Sequence, residues 1–529
     1  MVKKLILILL ISLIVGLADT HLVRVELNED RLVPLVDEGL TIIGELESAA
    51  LVLVETADFD KLSSFSFRTL DTEPQDGRYY LVRPLDSEID LSIYGTILTK
   101  DGTDYLIKIE EDMLEPLIRE KVMVKRLLLT PLILKSESAP QLFMSNVAVQ
   151  EIVGQIHPDS VLSHVQRLQD FWSRYSTFDS CFAAAAYIGD KFIDYGCDSV
   201  YFQDHVPGHA PNVIAIKRGT LYPDSIYTVI CGHFDAISDQ APWIAPGADD
   251  NASGTAGVIE AARVMKDYDF EYSVRYIAFS GEEFGLYGSH NYAAEARARG
   301  DSILGVFNAD MIAYVDAQPE SLEVIAKISN PACEPLADFF IAAADTYTSI
   351  LTRKNMVNFA PYSDHSPFWD NGYVALCSIE DNPPVNPHYH LTSDTIGAGY
   401  NDNDFCTEVI KAHVAALSLM AVPYETGVDE ITNTTAKGFR LRVYPTIGNS
   451  RFSISFEILS PEDNSSLAIY DVTGKRVKNY DLEPIVAHSL SQVLWDGTDT
   501  HGKNLPAGIY FVELENDGLT ETEKLILFR

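Results

Sequence analysis

Residues 274–283 read VRYIAFSGEE. A run of this length, rich in β-branched and aromatic residues and closed by Ser-Gly, reads as a buried strand over 274–279 that ends in a turn. Glu282 and Glu283 follow that turn directly. Upstream, 254–265 carries helical spacing; downstream, 303–308 is a second apolar strand. Further out come helices over 161–175 and 183–195, the second closed by Gly196 as a helix C-terminus prefers. Apolar strands recur over 227–231 and 373–379. Strand–helix alternation from 145 to 423 predicts an α/β domain with a mainly parallel central sheet flanked by helices.

The flanks differ in texture. Residues 19–140 alternate strand-like runs (22–27, 51–54, 79–82, 105–109) with short helical ones. LVRVELNEDRLVPLVDEG (22–39) and YLIKIEEDMLEPLIREKV (105–122) share one shape: a strand, an acidic turn and an amphipathic segment. They predict a small α+β domain with an internal duplication, either a propeptide or a permanent accessory domain. From 436 to 529 short strands alternate with turn signals such as Thr473-Gly474 and Asp496-Gly497, which predicts an all-β sandwich. The polar stretch 426–437 reads as a linker. The chain is thus expected to be multidomain, α/β at its centre, α+β before it and all-β after it.

MVKKLILILLISLIVGLADT (1–20) has a basic start, an apolar run and a small-residue site at Gly16-Leu17-Ala18. It predicts a signal peptide over 1–18 and hence a secreted, extracellular or cell-surface protein, with no transmembrane span elsewhere. The formal charge of −38 repels nucleic acid and anionic membranes. The six cysteines show no metal-binding spacing. Either buried thiols or a Cys181–Cys197 bridge across one helix fits them.

Five acidic or imidazole positions stand where strands of the middle domain end. His233 lies in GHFD (232–235), with Asp235 two residues on to hold the imidazole's other nitrogen. Asp249 lies in APGADDNASG (245–254), Glu283 in the pair Glu282-Glu283, and Asp310 in FNADMIAY (307–314). His390 lies in NPHYHLTSDT (386–395), with His388 a competitor. Open α/β sheets place their sites at these strand ends. Two imidazoles and three carboxylates suit Zn²⁺, and are too many for one tetrahedral ion. They suit two ions about 3.5–4 Å apart with one carboxylate between them.

GHFD, GADDNASG, SGEEFGLYGS, NADM and YHLTSDT, in this order, resemble the zinc aminopeptidase family of bacterial leucyl aminopeptidases and glutamate carboxypeptidase II. The resemblance implies two zinc ions and peptide substrates cut at their N-termini. Carboxypeptidase or dipeptidase activity on the same site is the alternative; a glutaminyl cyclase or an inactive binding protein ranks below it. Residue by residue it implies Asp249 as bridging carboxylate with a cis bond to Asp250. His233 and Asp310 would complete one zinc, and Glu283 and His390 the other. Glu282 would be general base and Asp235 the carboxylate behind His233. FAPYSDHSPFW (359–369) resembles the family's pocket wall, with His365 a pocket residue rather than a ligand.

LAIYDVTGKRVKNY (467–480), WDGTDTHGKNLPAGIYFVELENDG (495–518) and KLILFR (524–529) resemble immunoglobulin-like sorting tails of secreted enzymes and the module of flagellar hook-capping proteins. That resemblance implies contact with a secretion machinery or attachment at the cell surface, with Trp495, Tyr510 and Phe511 in the module's core.

Overall fold

A computed structural model describes residues 20–27, 32–133, 146–357 and 359–424, and all of 439–527 except 445–446, 449–451, 459–464, 473, 481, 483–489, 507 and 517–518. The expected signal peptide and the linker over 426–437 lie outside the described residues. The chain divides into two compact units, 1–424 and 425–529. Among the described residues no helix is long and apolar enough to cross a membrane.

The first unit opens with two antiparallel four-stranded sheets. One comprises β1 (Thr20–Glu26), β2 (Thr41–Glu45), β3 (Ala49–Glu55) and β4 (Phe67–Asp71), in the order β2-β3-β1-β4. The other comprises β5 (Tyr79–Pro84), β6 (Gly95–Asp101), β7 (Asp104–Ile109) and β8 (Val122–Leu127), in the order β6-β7-β5-β8. Read from the other edge, the second order is β8-β5-β7-β6, and the two sheets superpose in kind. β1 passes through the helix Val33–Asp37 to β2, and β7 passes through Leu114–Ile118 to β8. β3 passes through a 3₁₀ turn, Thr56–Leu62, to β4, and β5 through another, Leu91–Ile93, to β6. The two look-alike stretches of sequence are therefore equivalent strand–helix–strand passages. The chain runs through the second sheet in cyclically shifted order.

The central sheet has eight strands: β9 (Ser199–Gln203), β10 (Asn212–Lys217), β11 (Ile226–His233), β12 (Ser273–Phe279), β13 (Ser302–Ala309), β14 (Ser321–Lys327), β15 (Leu351–Val357) and β16 (Ala375–Ile379). Its order is β15-β14-β16-β13-β11-β12-β10-β9. The middle strands β16, β13, β11 and β12 are parallel, as expected. The sheet as a whole is mixed, because β10 runs against β12, β9 against β10, and β14 against β16. β9 and β10 are joined by a short loop containing Pro207-Gly208, which can close only an antiparallel pair. β12 and β13 lie on opposite sides of β11. The connections diverge there and open a crevice at the strands' C-terminal ends.

Helices fix that crevice. The helix expected over 161–175 runs Pro158–Gln169, with Pro158 preset for the first turn. The helix Ala252–Met265 is buried at every residue but Arg263. Its apolar side chains join one core with β11, β12, β13 and the helix Asn403–Ala421. Each large apolar side chain there contributes roughly 1.5–3 kcal/mol. Gly254 lets this helix approach β13, since a Cβ at that position would collide with the Ala309 carbonyl.

All six cysteines are free thiols. The proposed Cys181–Cys197 bridge is excluded by geometry: the helix Asp179–Asp194 separates the two residues. At 1.5 Å per residue that is roughly 20 Å, against the ~5.5 Å a disulfide spans.

The second unit contains a three-stranded sheet, β17-β19-β22, and a five-stranded one, β18-β24-β23-β20-β21. Their ranges are β17 (Phe439–Tyr444), β18 (Ile447–Gly448), β19 (Phe452–Ile458), β20 (Ser466–Asp471), β21 (Arg476–Tyr480), β22 (Leu490–Trp495), β23 (Gly508–Asn516) and β24 (Leu519–Leu527). Trp495 is buried between Phe452 and Tyr510, with ring centroids 5.3 and 5.4 Å away. Phe511 departs from expectation: strand alternation turns it to the other face, where it is half-buried.

Candidate metal centre

The crevice gathers the expected side chains from four strand ends. His233 closes β11, Glu282 and Glu283 follow β12, and Asp310 follows β13. His390 arrives on the loop after β16. His233 Nε2 lies 3.4 Å from Asp310 Oδ1 and 4.0 Å from Glu282 Oε2. His390 Nε2 lies 3.1 Å from Glu283 Oε2.

The residue between the two imidazoles is Asp250, not Asp249. Its Oδ1 is 3.2 Å from His233 Nε2 and its Oδ2 is 3.5 Å from His390 Nε2. Asp249 is turned away and its carboxylate is fully engaged. Oδ1 accepts the Ala313 N–H at 3.0 Å and Oδ2 accepts the Asn386 amide at 2.8 Å. The cis peptide is correspondingly one residue on, at Asp250-Asn251. Asn251 caps the helix Ala252–Met265, its side chain accepting the Gly254 N–H at 2.8 Å. In the run Asp-Asp-Asn the third residue therefore serves the helix and the second faces the crevice.

Asp235 sits behind the site as expected, through different atoms. His233 Nδ1 is nearest the Asp235 main-chain carbonyl, at 3.1 Å, and 3.7 Å from its carboxylate. The carboxylate instead accepts the Glu282 N–H at 3.2 Å and so sets the position of that glutamate. His388 is drawn off to Ser393 at 2.8 Å. His365 is held by the Ala360 carbonyl and the Trp369 ring, a wall residue as expected.

Several residues of the site were not singled out in the sequence, although Asp394 and Ser363 lie within the stretches 386–395 and 359–369. Asp394 accepts the N–H of Asp249 on one oxygen and that of Asp250 on the other, each at 3.0 Å. Arg174 is fully buried and donates to the carbonyls of Phe234, Leu168, Pro246 and Gly247, which pins the turns beside His233 and Asp249. Ser363 donates to Asp310 Oδ2. Glu380 accepts the N–H of Ala313 and Tyr314 at 3.0 and 2.6 Å, fixing the loop after Asp310. Asp394, Arg174 and Glu380 act on main-chain groups and Ser363 on a side chain, all through contacts that no spacing rule reports.

The electrostatics call for a cation. Burial and the neighbouring carboxylates push Glu282 and Glu283 well above the ordinary glutamate range. Burial opposes a charge on His233, yet Glu282 and Asp310 outweigh it and hold the imidazole well above its usual pKa. Glu283 Oε1 is buried with no hydrogen-bond partner among the described residues. His233, Glu282 and Asp310, and again His233, Asp250 and Glu283, each bring one ligand atom within 4.8 Å of the others. Converging carboxylates and imidazole lone pairs fit Zn²⁺.

Residues 212–412 match the family model described as Peptidase family M28, and 442–518 match that of the FlgD Ig-like domain. The leucine aminopeptidase 1 of Trichophyton equinum is 27% identical over 296 residues, spanning 52% of this chain and 77% of that one. A probable zinc metalloprotease of Leptosphaeria maculans is 24% identical over 375 residues, spanning 60% of this chain and 87% of that one. Among solved structures, the LapA aminopeptidase of Legionella pneumophila has a TM-score of 0.50 at 18% identity, covering 77% of this chain and 99% of that one. This last likeness is one of fold. Sequence and geometry meet in the same segment: residues 212–412 are similar to M28 peptidases, and the enzyme class these matches support is a zinc-dependent aminopeptidase.

Proposed function

We propose that the chain is an exported di-zinc aminopeptidase in which Asp250 would be the carboxylate shared by the two sites, His233 and Asp310 would complete one, and Glu283 and His390 the other. The observation that carries this reading is the placing of Asp250, with one oxygen toward each imidazole. Zinc held there would supply an activated water and an electrophile for the scissile carbonyl.

The protein's own groups do the rest. Glu282 stands at the rim of the cluster, its Oε2 4.0 Å from His233 Nε2, where a carboxylate can take a proton from water and return it to the leaving amine. Asp235 holds the Glu282 main chain, so the carboxylate keeps its place through the proton transfers. The negative cleft attracts a substrate's free ammonium group, which measures off one residue from the N-terminus. Export is supported by the composition of residues 1–18 and by the similarity of 442–518 to the FlgD Ig-like domain, which also suggests contact with a secretion apparatus or the cell surface.

The test is a zinc count on purified protein together with hydrolysis of amino-acid nitroanilides and of a peptide with and without an N-acetyl group. Two zinc ions per chain and cleavage of the free peptide alone are expected. Equal cleavage of the acetylated peptide would refute the aminopeptidase assignment.

A further inference from the structure

The second N-terminal sheet, through the helix Leu114–Ile118 and the segment after it, is built into the wall of the candidate metal centre. The segment that leaves the helix Leu114–Ile118 brings the Glu120 main-chain carbonyl to 3.5 Å from His390 Nδ1, on the opposite side of the ring from Glu283. Tyr94 donates to the Glu120 carboxylate at 2.7 Å, and Glu120 O receives the Val122 N–H at 2.9 Å, so the residue is held at both its side chain and its carbonyl. Leu114, Leu117 and Ile118 share one apolar cluster with Tyr175, Ile237 and Phe284, the last of which directly follows Glu283.

The same junction continues away from the site. Arg126 N–H donates to the Gly285 carbonyl at 3.3 Å, and Tyr80 and Tyr287 meet hydroxyl to hydroxyl at 3.0 Å. Lys125 pairs with Asp370 at 2.6 Å, and Lys327 with Glu45 at 3.1 Å. Both lysines are nearly inaccessible to water, so each ion pair has its partners on opposite sides of the junction in a place that solvent cannot replace. A removable cover would lie over the mouth of a finished site. Here the second N-terminal sheet and its helix complete the wall, and a carbonyl between them stands behind a ligand.

We propose that residues 20–133 are a permanent part of the catalytic unit and that Glu120 is a positioning residue, its carbonyl accepting the Nδ1 proton of His390 and so directing the Nε2 lone pair toward the metal. This rests on the zinc reading above. A metal-bound imidazole needs such an acceptor to fix its tautomer and ring angle, and removing one typically weakens metal binding 10–100-fold.

The experiment places a specific protease site within 134–145 of the full-length, zinc-loaded chain. After cleavage, size-exclusion chromatography, zinc retention against a chelator and peptidase activity are read together. The N-terminal fragment is expected to stay with the remainder, with zinc and activity unchanged. A fragment that departs from a folded remainder still holding both ions overturns the proposal. In a second arm, Tyr94→Phe and Glu120→Ala free the carbonyl without touching a ligand. One of the two zinc ions should then be lost to chelator faster, on the order of tenfold, while the other is held as before. Loss of both ions at the wild-type rate overturns the role of Glu120. A wild-type protein that holds no zinc overturns the metal reading itself and leaves the cleavage result to decide the permanence of the domain.

Discussion

The carboxylate of Asp394 grips two successive amides, receiving Asp249 N–H on Oδ1 and Asp250 N–H on Oδ2, each at 3.0 Å. The loop that carries His390 thereby sets the orientation of the residue between the imidazoles. Asp394→Asn can no longer accept on both sides. Zinc affinity should fall 10–100-fold, read as the chelator concentration that removes half the metal, while the fold survives by circular dichroism.

Asp249 and Asp250 should separate cleanly on substitution. Asp250→Asn is expected to lose zinc and activity together, because it removes the oxygen charge shared between His233 and His390. Burial and the Asp394 carboxylate nearby push the Asp249 carboxyl well above the ordinary aspartate range, and its oxygens are turned to Ala313 and Asn386 rather than to the crevice. Asp249→Asn should therefore retain metal, with a stability change of about 1 kcal/mol in denaturant titration. Metal analysis of the two variants decides between them.

Glu282→Gln should lower kcat by about 10²–10⁴-fold and leave the zinc count at the wild-type value. Turnover preserved at the wild-type level would exclude Glu282 as base.

Glu260 ties two helices together, accepting from Ser160 at 2.6 Å and from Arg263 at 2.8 and 2.7 Å, with His164 3.2 Å away. Burial raises its pKa, but these partners outweigh burial and bring it from 4.5 to about 2. A carboxylate depressed on folding stabilises the fold fully above its unfolded pKa and loses that contribution as pH falls through the folded value. The fall corresponds to about 3 kcal/mol. Urea titrations of chelated wild-type and Glu260→Gln protein should differ by about that much at pH 7 and converge as pH drops from about 4.5 toward 2.

Much of the centre was legible in the sequence because strand ends are legible. His233, Glu282, Glu283 and Asp310 each follow an apolar run that could only be a buried strand, and the sheet brings those ends together. The choice between Asp249 and Asp250 was not legible, because both follow the same turn. It is made by Asn251 capping the next helix and by Asp394, 144 residues from Asp250. The antiparallel edges of the central sheet escaped for a similar reason: a short apolar strand reads the same in either direction. The resemblance between 22–39 and 105–122 was visible as a shared shape, whereas the docking of the second sheet and its helix against Phe284 and His390 arises from packing between segments far apart in the chain.

The cyclic shift between the two N-terminal sheets has a practical consequence for protein engineering. The second sheet begins at β5, the counterpart of β3, so it is already open where the first sheet makes its β2–β3 hairpin. The hairpin residues 46–48 are therefore a marked place for new termini. A chain cut there and between β4 and β5, with the end of β4 linked to the start of β1 and the end of β2 to the start of β5, would give the first sheet the same threading as the second. Both sheets would then be copies of one building block joined in tandem.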